Sequence, residues 1–340
     1  MLILVTGATG RIGSQLTRAL VRRGHRVRAF ASPDHPNAGA IAGSQVEFAP
    51  GRLEDPEALA AAARGVDAIY HLAAGLGSRG HTEEQIFDLG LRGTFNLLRA
   101  ARAGAPNLQR FLYASSDAVY WNAPRLDACY LPVDEAHPRV PGSVYGAVKV
   151  GCEELCLTFQ RAFGIPVTIL RFGATANALE LINPRGRFAM WLFLRRAIEY
   201  LASLKSPSPA EMESLHILRS LDTGDEQLFI TAEMDGMPEI RQWGDARDVA
   251  EGCVLALEAP AAVGETFNLG GAAPFGADEQ VKYMAKRLGL PYGTARLPIA
   301  RRPWYISSAK ARGMLGYQPR YTIFDMIDDA IAQAGKDAAY

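Results

Sequence analysis

"LILVTGATGRIGSQL", residues 2–16, sets four apolar residues ahead of three evenly spaced glycines, Gly7, Gly10 and Gly13, and then a helix-like run. Each glycine gives up a side chain that could pack, so the loop is shaped for something that lies against its backbone. Gly7 suits a tight turn off a strand, Gly10 lets the backbone approach a pyrophosphate, and Gly13 lets the next helix pack on the sheet. The helix N-terminus then offers unpaired N–H groups and a positive dipole end to the phosphates. The spacing G-x-x-G-x-x-G is one residue wider than the commonest dinucleotide fingerprint. Its place between a strand and a helix is what gives it meaning.

Outward from this loop, β-like runs at Leu2–Thr6, Arg26–Ala31, Val46–Ala49, Ala68–Leu72, Arg110–Ser115 and Val167–Phe172 alternate with helical spacing. The helical stretches are Ile12–Arg23, Pro56–Ala63, Thr82–Ala103 and Val144–Phe163. Such alternation predicts an α/β fold with a parallel sheet covered by helices on both faces, and ligands at the carboxyl ends of its strands. After Gly173 the rhythm changes. Asn183–Ser220 is mostly helical with a break at Ser206–Pro209, and the next strand is expected at about Gln227–Thr231. A helix at Arg247–Leu257 and a strand at Thr266–Leu269 return to the sheet, and Asp278–Leu288 and Ile323–Ala334 are again helical. Residues 1–172 with about 247–270 are therefore expected to form a nucleotide-binding domain. About 173–246 and 271–340 would form a smaller, mostly helical substrate-binding lobe.

A chain of 340 residues, 49% hydrophobic, buries a sizeable core. Thirty-six basic residues balance 36 acidic ones, which argues against nucleic acid or an anionic membrane as partner. No uncharged apolar run approaches the ~20 residues of a membrane span. Met1 leads straight into the first strand, so no signal peptide is expected. Cys129, Cys152, Cys156 and Cys253 lack a C-x-x-C spacing or a histidine at metal-ligand distance, so no metal is expected, and reduced thiols suit the cytoplasm.

Nucleotide choice turns on the end of the second strand. "VRAFASPD" offers Ala31 and Ser32 there, with Asp34 only after Pro33. Without a carboxylate at the strand end a 2′-phosphate is not repelled, and Arg11 and Ser32 could receive it, which favours NADP with NAD as the alternative. Arg11 fits equally well as an exposed arginine at a helix start.

The chemistry lies further on. "SVYGAVKVGCEE", residues 143–154, places Tyr145 and Lys149 four apart and so on one helix face. A nearby ammonium stabilises a phenolate, readying Tyr145 to exchange a proton. "YASSDAVY", residues 113–120, closes the fifth strand and sets Ser115 and Ser116 at a carboxyl end, where a hydroxyl can orient a carbonyl or alcohol.

With "YHLAAG" at residues 70–75, "GTFNLLRAA" at 93–101, "FNLGG" at 267–271 and "KARGMLGYQP" at 310–319, these motifs run through nearly the whole chain. In that order they resemble the extended short-chain dehydrogenases/reductases, the group that includes NAD(P)-dependent nucleotide-sugar epimerases and dehydratases. The resemblance implies a Rossmann-type doubly wound sheet, Tyr145 as acid/base, Lys149 on the cofactor ribose and Ser116 as the substrate-orienting hydroxyl. It places Gly7, Gly10, Arg11, Ile12, Gly13, Leu72, Ala73 and Ala74 along the cofactor, with Arg52 and Leu53 toward adenine and Phe172 at the nicotinamide. It also implies a homodimer through helices Thr82–Ala103 and Val144–Phe163, where Phe87, Leu91, Phe95, Leu155 and Phe159 fit an interface or simple core packing.

Departures from the family pattern bear on the substrate. Where relatives carry an aspartate beside adenine this chain has Arg52, which either stacks on adenine or points to water. Gly90 replaces an asparagine whose amide supports the active-site backbone. Trp121 stands where a glycine is usual and walls the pocket or packs in the core. In the Thr-Asp-Glu run of the dehydratases this chain reads Ser116-Asp117-Ala118, so the acid is kept and the second carboxylate is lost, which ranks water elimination low. Asp117 would bind a substrate hydroxyl or cap local backbone. Arg241 matches an arginine that contacts a nucleotide-sugar diphosphate, or sits in an ordinary ion pair. The expected function is epimerase-type hydride chemistry on a sugar or nucleotide-sugar. Alternatives are an NADPH-dependent reductase of a small ketone or aldehyde and, behind it, a non-catalytic NAD(P)-sensing regulator.

Overall fold

The structure is a computed structural model that describes residues 1–34, 45–75, 80–120 and 128–337. Seven strands make one sheet: β1 (Leu2–Thr6), β2 (Arg26–Ala31), β3 (Val46–Pro50), β4 (Ala68–His71), β5 (Arg110–Ser116), β6 (Val167–Phe172) and β7 (Thr266–Leu269). Every pairing is parallel and the order is 7-6-5-4-1-2-3. The order reverses between β1 and β4, where Thr6 and His71 lie side by side, and a crevice at such a reversal is where ligands bind.

The longer helices are α1 (Arg11–Arg22), α2 (Pro56–Ala63), α3 (Gly93–Gly104), α4 (Val144–Phe163), α5 (Leu194–Ala202), α6 (Pro209–Leu221), α7 (Ala246–Glu258), α8 (Ala277–Leu288) and α9 (Ile323–Asp337). Alternate residues of a strand face opposite sides. Thus Ile3 and Val5 pack under α1 and α7 against Leu16, Leu20, Val249 and Cys253. Leu4 turns the other way, to join Leu59, Leu97, Val148 and Cys152 of α2, α3 and α4. A sheet buried on both faces reads as continuous apolar runs, which is why "LILV" and "VTIL" carry no alternation.

The stretch expected as one helix from Thr82 to Ala103 is not uniform. Helix Glu83–Phe87 passes through a wider, π-helical turn at Asp88–Arg92 before α3 begins. Gly90 sits in that turn, so close to α4 that a Cβ there would lie 2.2 Å from Val148 Cγ1. One turn along α4, a Cβ on Gly151 would lie 2.9 Å from Leu91 Cδ2. The apolar spacing of "IFDLGLRGTFNLL" is compatible with either winding, so it could not reveal the change.

Beyond β6 the helices α5, α6, α8 and α9 build two further apolar clusters. The strand expected near Gln227–Thr231 forms at Leu228–Ala232, outside the main sheet, and pairs in parallel with Tyr292–Arg296. That partner strand escaped the sequence reading because its residues are mostly exposed and carry no apolar run.

Candidate active site

Gly7 leaves β1 with φ +72°, a conformation that disfavours any side chain, and a Cβ on it would meet Ala73 N at 2.8 Å. A Cβ on Gly13 would lie 2.1 Å from the Gly7 carbonyl oxygen, so the third glycine lets α1 fold back on the loop. Ala73 N donates to Thr6 Oγ1 at 3.3 Å, holding the end of β4 beside the loop. Helix α1 begins with no side-chain cap and no acid in its first turn. Its first N–H groups and dipole therefore face the crevice, as a pyrophosphate requires, and the loop fits a dinucleotide.

Across the crevice, Ser143 caps α4 by accepting from Gly146 N at 3.1 Å. A Cβ on Gly146 would lie 2.4 Å from the Ala118 carbonyl oxygen, so the start of α4 is pressed onto the turn that follows β5. This contact brings Tyr145 to the end of β5, where Ser116 and Asp117 stand. Lys149 is buried, its ammonium donating to the Ala114 carbonyl at 2.5 Å and lying 5.7 Å from the centre of the Tyr145 ring. Ser116 Oγ accepts from Ala118 N at 3.2 Å and donates to Asp117 Oδ1 at 3.1 Å. Trp304 Nε1 donates to the other oxygen of Asp117 at 3.2 Å. Burial pushes the Asp117 carboxyl above its ordinary range, against the pull of Trp304, Ser116 and the nearby Arg301 charge.

A buried polar network behind these groups is absent from the sequence reading. Glu153, one turn after Lys149, accepts from Ser115 Oγ at 2.6 Å, Arg171 Nε at 2.8 Å, Arg171 Nη2 at 2.7 Å and Arg139 Nη1 at 3.1 Å. Arg171 also donates to the Tyr120 hydroxyl at 2.9 Å, which in turn donates to Asn268 Oδ1 at 2.5 Å. Burial pushes Tyr120 to about 12, keeping that hydroxyl a donor. The network ties β5, β6, β7 and α4 together one helical turn from Lys149. The available signal was Arg171 inside the otherwise apolar "VTILRF": an arginine in a buried strand demands an acid.

His71, at the end of β4, has Thr6 Oγ1 2.9 Å from Nδ1 and Thr94 Oγ1 3.0 Å from Nε2. Burial, with the charge of Lys149, lowers it from 6.5 to about 3. The unfolded chain thus takes up this proton first. His71 leaves stability untouched above pH 6.5 and removes it progressively as pH falls toward 3. The melting temperature should drop more steeply between neutral and pH about 4.5 for the native chain than for a His71→Gln variant. Parallel curves would show that His71 is not the group responsible.

Other residues singled out from the sequence are placed as follows. Ile12 packs half-buried against the core beside the loop, Phe172 is buried in the core at the end of β6, Leu72 and Ala74 are half-buried beyond β4, and Ser32 is half-buried at the end of β2. Leu53 is buried, and a Cβ on Gly93 would lie 2.9 Å from its Cβ. Arg52 donates to Asp34 at 2.7 Å, both well exposed. Arg11 is turned onto Glu180, not held over the glycine loop. Arg241 is buried in a pair with Glu239 at 2.8 Å and also donates to Thr231 Oγ1 at 3.1 Å. Trp121 lies outside the described residues.

Comparison with known proteins gives concordant findings. The NAD dependent epimerase/dehydratase family profile matches residues 3–186. Over 336 residues the chain is 26% identical to the UDP-glucose 4-epimerase of Halalkalibacterium halodurans, spanning 94% of this chain and 91% of that one. It is 30% identical over 357 aligned positions to the 4-hydroxy-2-methyl-3-oxo-4-farnesyl-3,4-dihydroquinoline-1-oxide ketoreductase of Stigmatella aurantiaca, spanning 98% and 97% of the two chains. A crystal structure of a short-chain dehydrogenase/reductase superfamily protein from Agrobacterium tumefaciens, with bound NAD, is similar at TM-score 0.88 and 32% identity, covering 100% of this chain and 98% of that one.

Proposed function

The chain belongs to the NAD dependent epimerase/dehydratase family, and on that premise we propose that it oxidises and reduces a secondary alcohol of a sugar or nucleotide-sugar with Tyr145 as acid/base. The observation that carries this reading is the buried Lys149 ammonium, fixed to Ala114 at 2.5 Å and set 5.7 Å from the Tyr145 ring, at the carboxyl end of β5. A nicotinamide nucleotide along the glycine loop supplies the two-electron acceptor and donor. Tyr145, as phenolate, takes the proton of the substrate hydroxyl and returns it to the oxygen of the carbonyl on reduction. Lys149 has three N–H donors, of which one goes to Ala114; the others suit the phenolate and a ribose hydroxyl. Ser116 donates to the substrate oxygen, and Asp117 holds a neighbouring hydroxyl.

We take the nucleotide to be NAD, in place of the NADP that Arg11 and Ser32 suggested. Arg11 is committed to Glu180, and the Asp34 carboxylate is paired with Arg52, the residue after Gly51, whose N–H donates to Ala31 O at the end of β2. A carboxylate there suits a ribose 2′-hydroxyl and opposes a phosphate. NAD bound to the Agrobacterium tumefaciens protein supports the same choice.

Arg241 favours a second reading, oxidoreduction of a carbonyl compound without a nucleotide diphosphate. The cation expected on the diphosphate is neutralised internally by Glu239. Homodimerisation is part of the proposal, supported by the exposed Phe87 and Phe95 and by Phe163 at the end of α4. Unpaired thiols at all four cysteines suit the cytoplasm.

The purified protein, with nothing added, tests these readings together. Denaturation should release NAD in near-stoichiometric amount, and sedimentation should give a dimer. An empty site moves the assignment to the exchanging reductase. A monomer at micromolar concentration removes the dimer.

A further inference from the structure

The glycine loop carries one cation, Arg11, the residue directly after Gly10. Its Nε and Nη2 each donate to one oxygen of Glu180 at 2.5 Å, so the planar fork of the guanidinium is matched by both oxygens of one carboxylate. Glu180 arrives from the far side of the crevice, in the short helix Leu179–Ile182. It is itself held, Oε2 accepting from Asn177 N at 2.8 Å, and the Phe188 ring lies 5.8 Å from the Arg11 guanidinium carbon. The two side chains are only 14% and 28% exposed, which protects the pair from the screening that weakens surface ion pairs. Burial alone would raise the Glu180 carboxyl, but Arg11, the Asn177 N–H and the Arg187 charge outweigh it and keep the group ionised.

The loop adjoins the strand end that meets the adenosine ribose. Gly7 N donates to Phe30 O at 3.1 Å, and Gly51 N donates to Ala31 O at 3.0 Å. A 2′-phosphate at that end would seek a planar cation; the glycine loop carries Arg11 and the turn after β3 carries Arg52, while Arg28 within β2 is paired with Glu47. Arg52 faces Asp34, and Arg11 faces Glu180.

We propose that Glu180 is a specificity-determining residue for the nucleotide: by holding the Nε–Nη2 edge of Arg11 with both carboxylate oxygens it turns the loop's cation away from a ribose 2′-phosphate and so selects the unphosphorylated dinucleotide. This rests on the nicotinamide reading above and adds to it a determinant that acts across the crevice. The end of β2 then shares the choice of nucleotide with a residue that would never touch the adenosine itself.

The test is binding, with no substrate turnover needed. Affinities of NADH and NADPH for the 340-residue chain are measured by nucleotide fluorescence, after any retained nucleotide has been removed, and expressed as the ratio of the two. The native chain should prefer NADH. Glu180→Gln keeps an acceptor for Asn177 N but loses the charge, and should shift the ratio toward NADPH about tenfold, the scale of a charged hydrogen bond gained. Adding Arg11→Ala to Glu180→Gln should restore the native ratio, and Arg11→Ala alone should leave it unmoved, which keeps the proposal testable if Glu180→Gln folds poorly. An unmoved ratio in Glu180→Gln, or a shift that survives Arg11→Ala, overturns the proposal. A native preference for NADPH overturns it too, while the nicotinamide reading stands. Binding of neither nucleotide overturns that reading and the proposal with it.

Discussion

Replacing Tyr145 by phenylalanine is expected to lower turnover by about a hundredfold to ten-thousandfold, the range of a positioned general acid/base. The ring stays, so its packing against the core and the approach of Lys149 remain. Melting temperature and NADH affinity should therefore match the native chain, isolating the loss to the missing oxygen. The assay begins with UDP-glucose and simple sugars and extends to ketones under the second reading. A Tyr145→Phe variant that keeps more than about a tenth of native turnover would remove Tyr145 from the reaction. The same variant separates an enzyme from a nucleotide-sensing protein, since a sensor would lose nothing measurable.

The second large effect is on stability. Glu153→Ala leaves the Arg171 guanidinium, 6% exposed, without its carboxylate and Ser115 Oγ without its acceptor, while Arg139 keeps Glu154. Breaking a buried pair by removing one partner costs about 3–5 kcal/mol. Urea unfolding measures it directly, and a loss below about 1 kcal/mol would show that water reaches the arginine. The double change Glu153→Leu with Arg171→Met should recover much of the loss, because desolvating two charges offsets much of their attraction. The recovered protein would still lack the tie between Ser115 on β5 and α4, so catalysis should return less completely than stability.

Much of this arrangement was legible in one dimension because its determinants are close along the chain. The glycine spacing, the four-residue step from Tyr145 to Lys149 and the strand-helix rhythm depend on neighbours a few residues apart, and the sheet and crevice follow from them. What escaped was set by partners far apart in sequence. Arg11 is matched by Glu180 and Glu153 by Arg171 and Ser115, and no local spacing announces these pairs. Arg241 shows the same limit: alone it suits a diphosphate, and only the fold reveals Glu239 already beside it. Backbone winding was equally hidden, since the apolar positions around Gly90 suit a narrow or a wide turn.

That wide turn also bears on the history open to this chain. A side chain at residue 90 would drive its first carbon to within 2.2 Å of Val148 Cγ1. Such a substitution is disfavoured until Val148 becomes smaller. With asparagine already at residue 90, a residue as large as valine at 148 would in turn be refused. The order of substitutions therefore matters: a side chain at 90 is accommodated once residue 148 has become smaller, and the two positions change as a pair.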